Sequence, residues 1–160
     1  MPPPLKAAAG LGVTYRNFAD EDLPFVAELY ASTRRDEVAA TGWPREMQEA
    51  FLAQQHEAQH RHYAEHFADA EWLIVETGGT AIGRLYLREL PESLHIVDIA
   101  LIPQSRGKGI GGAILRDILD QARDLGKSVT IHVEANNPAR SLYARLGFVE
   151  VPGFNVFVNQ

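Results

Sequence analysis

The segment that most limits how this chain can fold is an apolar run that leads into a glycine-rich turn. Residues 94–102 are apolar at all but two positions, which is typical of a strand buried in the middle of a sheet. Four glycines follow between positions 107 and 112, and a helical pattern then runs from Ile110 to Leu125 before Gly126 ends it. This order predicts that the turn lies at one edge of an α/β sheet.

Shorter patterns on both sides of this segment complete a mixed α/β sheet. Apolar residues recur with the period of a strand or of a helix, and glycines mark the turns between them. The predicted elements are a strand at 13–18, a helix to about 34 that Asp20 or Asp22 could cap, a long helical stretch to about 70, hairpin strands at 72–76 and 81–87, a strand at 128–133, a helix from 138 to 147, and closing strands at 148–151 and 155–158.

The glycine turn is suited to binding an anion. Glycines let the backbone approach a ligand closely, and the unpaired amides of a helix start, together with the helix dipole, attract negative charge. Arg106 and Lys108 add positive charge at the same place. We interpret the turn as a cradle for a pyrophosphate group, with an ordinary surface turn as the alternative.

Two other phosphate motifs match these residues less well. A Walker loop requires Lys and then Ser or Thr after its last glycine, whereas Ala113 follows Gly112. The dinucleotide fingerprint matches Gly107, Gly109 and Gly112, with Glu134 near the expected place of a ribose-binding acid. However, four residues separate the strand from the first glycine, and the 26 residues after Glu134 are too few to complete a doubly wound sheet.

Two motifs together resemble the hallmarks of one enzyme family. Residues 104–109, Gln-Ser-Arg-Gly-Lys-Gly, fit the pattern Q/R-x-x-G-x-G/A of the GNAT superfamily of N-acetyltransferases. Further on, Asn136 precedes Leu142-Tyr143 and then Gly147-Phe148, which is similar to the second hallmark of the family. The resemblance is strongest over residues 72–150. It implies a mixed, mostly antiparallel central sheet of about six or seven strands flanked by about four helices.

The resemblance also implies a reaction and its co-substrate. GNAT enzymes transfer the acetyl group of acetyl-CoA to a primary amine, which attacks the thioester directly in a ternary complex without a metal. The glycine turn would hold the pyrophosphate of coenzyme A, and the end of the preceding strand would bind its pantetheine arm. The implied cofactor-binding residues are Ala100, Leu101, Ile102, Gln104, Arg106, Gly107, Lys108, Gly109, Ile110, Gly111, Asn137 or else Asn136, and Tyr143.

Three residues are candidates for catalysis. The resemblance implies that the Leu101 amide stabilises the oxyanion and that Tyr143 protonates the leaving thiolate, with packing beneath the sheet as the alternative for Tyr143. Asp98 interrupts the apolar strand, and a buried acid needs a partner or a task. Asp98 is either the base that activates the amine, or the group that binds the cationic amine, or a structural residue in a salt bridge or a hydrogen-bonded strand end. His95, Glu76 or a chain of water molecules could replace it as the base.

A helix rich in histidine contains a further motif. Residues 56–60 match the zinc-protease pattern H-E-x-x-H, and Glu71 or Glu76 could be a third ligand. Such a match arises easily in a helix rich in His, Glu and Gln, and the same face continues to Tyr63 and Phe67. We therefore interpret this face as packing against the sheet. The resemblance implies that the region shapes the acceptor site, whose candidate residues are Trp43, His56, His60 and Tyr63, with plain packing as the alternative.

Composition limits the partners of the chain. The net charge is −6, so we expect no nucleic-acid partner, and a cationic amine suits the protein better. The chain has no cysteine, which excludes disulfides and thiolate metal sites and suits a cytoplasmic protein. No apolar run predicts a membrane span.

The acceptor stays open between small-molecule and protein amines, and an acetyl-CoA sensor without catalysis is the alternative function. We expect a disordered lead-in at 1–12, a single domain at 13–160, and a homodimer as one option, paired through residues 149–158.

Overall fold

The computed structural model describes residues 2–133, 139–153 and 156–160. Its strands are β1 (Val13–Asn17), β2 (Glu71–Thr77), β3 (Thr80–Glu89), β4 (Ser93–Leu101), β5 (Ser128–His132), β6 (Val149–Val151) and β7 (Val156–Asn159). Its α-helices are α1 (Leu23–Ala39), α2 (Arg45–His66), α3 (Ile110–Leu125) and α4 (Arg140–Arg145).

All of these strands join one sheet in the order β1-β2-β3-β4-β5-β7-β6. Neighbouring strands are antiparallel, except that β4 and β5 are parallel. A parallel pair needs a crossover connection, and α3 provides it. The mixed, mostly antiparallel sheet and the four α-helices of the described ranges confirm the predicted fold class.

α3 covers one face of the sheet. Its buried side chains recur at helical spacing, and they pack against inward-facing residues of the central strands. Gly126, with φ 69°, ends the helix where the sequence predicted, and its amide donates to the carbonyl of Ala122. The buried stripe of α3 consists of Ile110, Ala113, Ile114, Leu115, Ile118 and Ala122.

α2 covers the opposite face with polar and aromatic contacts. Side chains alternate along β3: Leu85 and Leu87 belong to the core beneath α3, whereas Arg84 and Tyr86 contact Tyr63 of α2. The layer between α2 and the sheet therefore contains a buried charge, because Arg84 is only 2% exposed.

The helix ends differ from the predicted ones. α1 continues past residue 34 to Ala39, since no glycine or proline interrupts it before Gly42. α2 ends at His66 rather than near residue 70, because Phe67 leaves the helical conformation with φ −129°. Asp22 precedes α1, but its carboxylate accepts from Arg16 and from the amide of Ala19, so it does not cap α1 with its side chain.

The first residues, for which the sequence predicted a disordered lead-in, donate hydrogen bonds to α3. The amides of Lys6, Ala7 and Ala8 donate to the carboxylate of Asp117 in α3 at 3.2, 2.8 and 3.0 Å. Ala8 and Asp117 are both buried, so this segment lies against α3 and satisfies a charge that would otherwise be unpaired. Across the described ranges, none of the helices combines the length and the apolar character needed to cross a membrane.

Candidate functional site

The sheet opens on one side of β4. β4 and β5 pair only at residues 93–96 and 128–131, whereas β4 stays paired with β3 up to Leu101. Val97 has no opposite residue in the register with β3, and a β-bulge of this kind bends a strand. Within the described part of the chain, residues 97–101 have no strand partner on the β5 side.

The peptide groups of Leu101 point into this opening. The Ile102 amide donates to the Ile82 carbonyl at 2.8 Å, which makes these two residues a hydrogen-bonded pair of the antiparallel ladder. Such pairs alternate with non-bonded ones, so Ala100 also bonds to β3, and Leu101 turns its N–H and C=O the other way. Ladder alternation turns the backbone groups of Ala100 and the Ile102 amide toward β3, whereas the implied coenzyme contacts of these two residues stay a prediction.

The glycine turn lies beside the same opening. Gly107 and Gly109 have φ angles of 74° and 81°, in the left-handed region that favours glycine. α3 begins directly afterwards, so its first amides have no partner within the helix and lie at its positive end. A Cβ on Gly111 would lie 3.9 Å from the Leu101 side chain. The exposed residues Gln104 and Lys108 belong to the same turn.

The side chain of Arg106 has a different role from the predicted one. Its Nε donates to the carbonyl of Leu101 at 2.9 Å, and its Nη2 donates to the Ser32 hydroxyl of α1 at 3.2 Å. The sequence predicted that this charge faces an anion in the turn. The structure instead joins the turn, the end of β4 and α1 through this guanidinium.

Gly83 of β3, which the sequence did not indicate as a site residue, leaves no room for a side chain beside β4. A Cβ at this position would lie 2.3 Å from the carbonyl oxygen of Ala100 and 2.7 Å from a methyl group of Leu101. A glycine inside an apolar strand signals such a close approach, so the pattern of residues 81–87 contained the information.

Asp98 lies one residue beyond the bulge and belongs to a buried network. Tyr63 donates its hydroxyl proton to Asp98 Oδ2 at 2.7 Å, and Arg84 Nη2 donates to the same oxygen at 2.9 Å. Arg84 Nη2 also donates to Gln59 Oε1 at 2.7 Å. Burial is the largest single effect and would lower the pKa of Arg84, but the charge of Asp98 together with Tyr86 and Tyr63 outweighs burial and leaves this pKa raised.

Tyr143 of α4 is 5% exposed and packs against Phe148 and Phe157. Burial, and next the charge of Asp98, raise the pKa of Tyr143 to about 12. The hydroxyl therefore stays protonated at neutral pH and can act only as a proton donor in its ground state.

His56, His60 and Tyr63 share the buried face of α2, as their spacing predicted. His56 is 5% exposed, and burial, assisted by the charges of Arg84 and His60, lowers its pKa to about 4. Trp43 lies before α2, where it is partly exposed and contacts Phe51. The structure thus groups three of the four predicted acceptor-site residues around the sheet and places Trp43 at the start of α2.

The two weaker candidates for the base have other partners. Glu76 accepts from Arg16 Nε at 2.9 Å, and Nδ1 of His95 is 2.8 Å from the Thr130 hydroxyl. As for the zinc-protease pattern, no three His, Cys, Asp or Glu side chains of the described residues form a group that could hold a metal. Asn136 and Asn137, the implied coenzyme-contacting asparagines, lie outside the described residues.

Comparison with known proteins agrees with this geometry. Residues 25–148 match the model of the acetyltransferase (GNAT) family. An N-alpha-acetyltransferase of Sulfurisphaera tokodaii is 29% identical over 106 residues, which cover 56% of this chain and 64% of that protein. A probable glucosamine 6-phosphate N-acetyltransferase 2 of Oryza sativa subsp. japonica is 31% identical over 87 residues, which cover 54% of this chain and 52% of that protein. The chain thus spans between 52% and 64% of the length of these curated relatives.

A solved structure shares the fold. The PaiA N-acetyltransferase of Thermoplasma acidophilum, in complex with coenzyme A, superimposes with a TM-score of 0.64. The match covers 91% of this chain and 96% of that chain at 20% sequence identity. At this level of identity the likeness establishes the shared architecture.

Proposed function

Because the chain belongs to the acetyltransferase (GNAT) family, we propose that it transfers the acetyl group of acetyl-CoA to a primary amine by direct attack in a ternary complex. The observation that carries this proposal is the opening beside β4, where the amide of Leu101, which the β3 ladder does not use, lies next to a glycine turn and a helix N-terminus. An extended chain that ends in a pyrophosphate matches this arrangement.

The residues present fit coenzyme A. We propose that the amides of residues 106–111 hold the pyrophosphate and that Leu101 bonds the pantetheine arm in the manner of an added strand. Gly83 allows β3 to lie against this end of β4, because the space that a Cβ would need there is occupied by Ala100 and Leu101. When bound, acetyl-CoA supplies an acetyl thioester whose carbonyl carbon an amine can attack.

Three residues then have distinct tasks. The Leu101 amide, which faces the opening, stabilises negative charge that develops on the acetyl oxygen. The Tyr143 hydroxyl holds a proton that it can give to the leaving sulfur. Asp98, at the bulge where β4 leaves β5, removes the proton of the attacking amine. The new C–N bond forms as the C–S bond breaks, and the products are an acetylated amine and coenzyme A.

The acceptor is proposed only as a class. The names of the two relatives indicate one enzyme that acts on α-amino groups and one that acts on an amino sugar phosphate, so the shared chemistry is a primary amine. The net charge of −6 favours a cationic amine. Small polyamines, aminoglycosides, amino acids, protein N-termini and lysines are the candidates to test.

The first experiment is a calorimetric titration of acetyl-CoA into the protein, with NADH as the control ligand. We expect micromolar binding of acetyl-CoA and none of NADH. Coenzyme A release is then followed with a thiol reagent and the amine panel, and the chain has no cysteine that would add background. No binding of acetyl-CoA contradicts the proposal, whereas binding without transfer to any amine favours the sensor alternative.

Three further expectations remain proposals. We propose that residues 13–160 act as one N-acetyltransferase domain, that the protein is cytoplasmic, and that it forms a homodimer through the closing strands. β6 is an edge strand with Val149 70% exposed, and an unpaired edge can pair with a second copy. Analytical ultracentrifugation of the wild type and of Val149→Lys tests the dimer, since a charge on this edge should shift it to monomer.

A further inference from the structure

The two carboxylate oxygens of Asp98 differ in their hydrogen bonds. Both Tyr63 Oη and Arg84 Nη2 donate to Oδ2, and no hydrogen bond from the described residues ends on Oδ1. The Asp98 side chain is 13% exposed, in contrast to 3% for that of Arg84. Oδ2 therefore has two donors, whereas Oδ1 keeps its capacity to accept from a further group.

The titratable groups around Asp98 come from three elements, and Arg84 is the positively charged group among them. Burial, and next the charge of Asp98, raise the pKa of Tyr63, so that it remains a neutral donor. The lowered pKa of His56 keeps this imidazole neutral above about pH 4. The titratable groups that face Asp98 are Tyr63 and His56 of α2, Arg84 and Tyr86 of β3, and Tyr143 of α4.

We propose that Tyr63 and Arg84 are positioning residues for the acetyl transfer: they hold Oδ2 of Asp98 so that Oδ1 faces the amine and takes its proton. This inference rests on the proposed function. The ammonium form of the acceptor gives one proton to Oδ1, and its nitrogen then bonds to the acetyl carbon. As the C–S bond breaks, Tyr143 protonates the leaving sulfur, and the second proton lost by the nitrogen restores the Tyr143 hydroxyl. Asp98 then releases its proton to solvent, so that the products are the acetylated amine, coenzyme A and one proton. Tyr63 and Arg84 neither touch the amine nor exchange a proton in this step.

The proposal gives α2 a part in the reaction. Tyr63 lies 35 residues before Asp98 in sequence, and its hydroxyl donates the direct hydrogen bond from this helix to the carboxylate. Its ring also packs against Tyr86 at a centroid distance of 5.6 Å. The ring can therefore keep α2 in place when the hydroxyl alone is removed.

The test compares two small amines of nearly equal size. Ethylamine is an ammonium ion at neutral pH and must lose a proton, whereas trifluoroethylamine is mostly neutral and need not. We expect Tyr63→Phe to lower kcat for ethylamine about tenfold, the effect of losing one hydrogen bond to a charged group, and to leave kcat for trifluoroethylamine nearly unchanged. Arg84→Lys keeps the charge but loses the planar fork, so we expect a loss in the same direction.

Gln59→Met is the matched control. Gln59 bonds to the same Nη2 of Arg84 but not to Asp98, so its loss disturbs the contact between α2 and the sheet and leaves both donors of Oδ2 in place. We expect its kcat ratio for the two amines to equal that of the wild type. Calorimetry with acetyl-CoA verifies that each variant still binds the co-substrate.

The outcomes separate the two proposals. An equal loss on both amines, or a loss in Gln59→Met as selective as in Tyr63→Phe, gives the network a structural role only and overturns the positioning role. A wild type that binds acetyl-CoA and acetylates no amine of the panel overturns the proposed function, and the positioning role with it. A loss that is selective for ethylamine in Tyr63→Phe and absent in Gln59→Met supports both the proposed function and the positioning role.

Discussion

Single residues of this site are held by contacts that leave little freedom. Arg84 is charged inside the layer between α2 and the sheet, where its partner Asp98 compensates the charge. Gly83, the preceding residue of β3, lies against the backbone of β4 without room for a side chain. A change at either residue therefore acts on the position of β4, the strand that presents Leu101 to the opening.

Gly83→Ala is expected to destabilise the protein and to weaken acetyl-CoA binding. The added Cβ would meet the Ala100 carbonyl oxygen at 2.3 Å, so one of the two strands must shift, at about 1–3 kcal/mol of unfolding free energy. Gly10→Ala is the matched control, because no atom lies within 4 Å of its Cβ position. Denaturant unfolding and calorimetry measure both effects; equal stability of the two variants would contradict the close approach.

His56 makes stability depend on pH. Its pKa falls from 6.5 to about 4 on folding because burial disfavours its charged form, so the unfolded chain binds more protons between these values. The free energy of unfolding should therefore be highest above about pH 6.5 and decrease toward pH 4 by at most about 1.4 kcal/mol per pH unit from this residue.

Urea unfolding at a series of pH values tests this effect. His56→Phe fits a layer that already contains Tyr30 and His60 rings, and it should flatten the slope between pH 6.5 and 4. His66→Gln changes an exposed histidine and should leave the slope as in the wild type. The same slope in His56→Phe as in the wild type would show that another group titrates.

At the scale of elements, the turn and α3 act as one unit. Left-handed glycines bound the helix at both ends: Gly109 has φ 81° before its first residue, and Gly126 has φ 69° after its last. The two positions share a conformation, but only Gly109 lies in the turn beside the opening. Substitutions at Gly109 and Gly126 therefore distinguish the effect of backbone strain, which both would cause, from the loss of a ligand site, which only Gly109 would cause.

Gly109→Ala should raise the Kd for acetyl-CoA at least about tenfold, equivalent to about 1.4 kcal/mol, because a strained turn no longer presents its amides to the pyrophosphate. Gly126→Ala should lower the free energy of unfolding, and with it the melting temperature, since the left-handed conformation costs about 1–2 kcal/mol for other residues. It should leave Kd unchanged. Calorimetry and thermal unfolding of both variants provide the check. A similar rise in Kd for both would contradict the cradle.

Local signals account for the elements that the sequence predicted well. α3 has an apolar stripe and a glycine at its end, and both can be read without knowledge of the rest of the chain. The hydrogen bond of Tyr63 to Asp98 has no such signal, because it joins α2 to β4 through tertiary packing. Sequence reasoning therefore found both residues as candidates and could not pair them, and it gave no role to Arg84.

At the scale of the whole molecule, the N-terminal segment and α3 depend on each other. Asp117 is 1% exposed, and its carboxylate accepts from three consecutive amides that lie about 110 residues earlier. The composition of residues 1–12 predicted disorder because it reflects only local preference. The partner that orders the segment is a buried acid far away in sequence.

Asp117→Asn should lower the unfolding free energy by about 1.5–3 kcal/mol, the contribution of hydrogen bonds to a charged group, and make residues 2–8 more sensitive to proteolysis. Asp120→Asn removes the partly exposed acid of an ion pair with Arg123 one helical turn away, and we expect a change within about 0.5 kcal/mol. Thermal unfolding and limited proteolysis compare the two variants. Unaltered cleavage in Asp117→Asn would contradict the role of its carboxylate.

The opening beside β4 also makes neighbouring amides of one strand differ in their hydrogen exchange. Ladder alternation ties the amides of Ala100 and Ile102 to β3 and leaves the amide of Leu101 between them without a β3 partner. Deuterium should therefore replace the amide proton of Leu101 long before those of its two neighbours. Bound coenzyme A should slow exchange at Leu101 and leave its neighbours as they were, so that a single amide reports occupancy of the site without any added label.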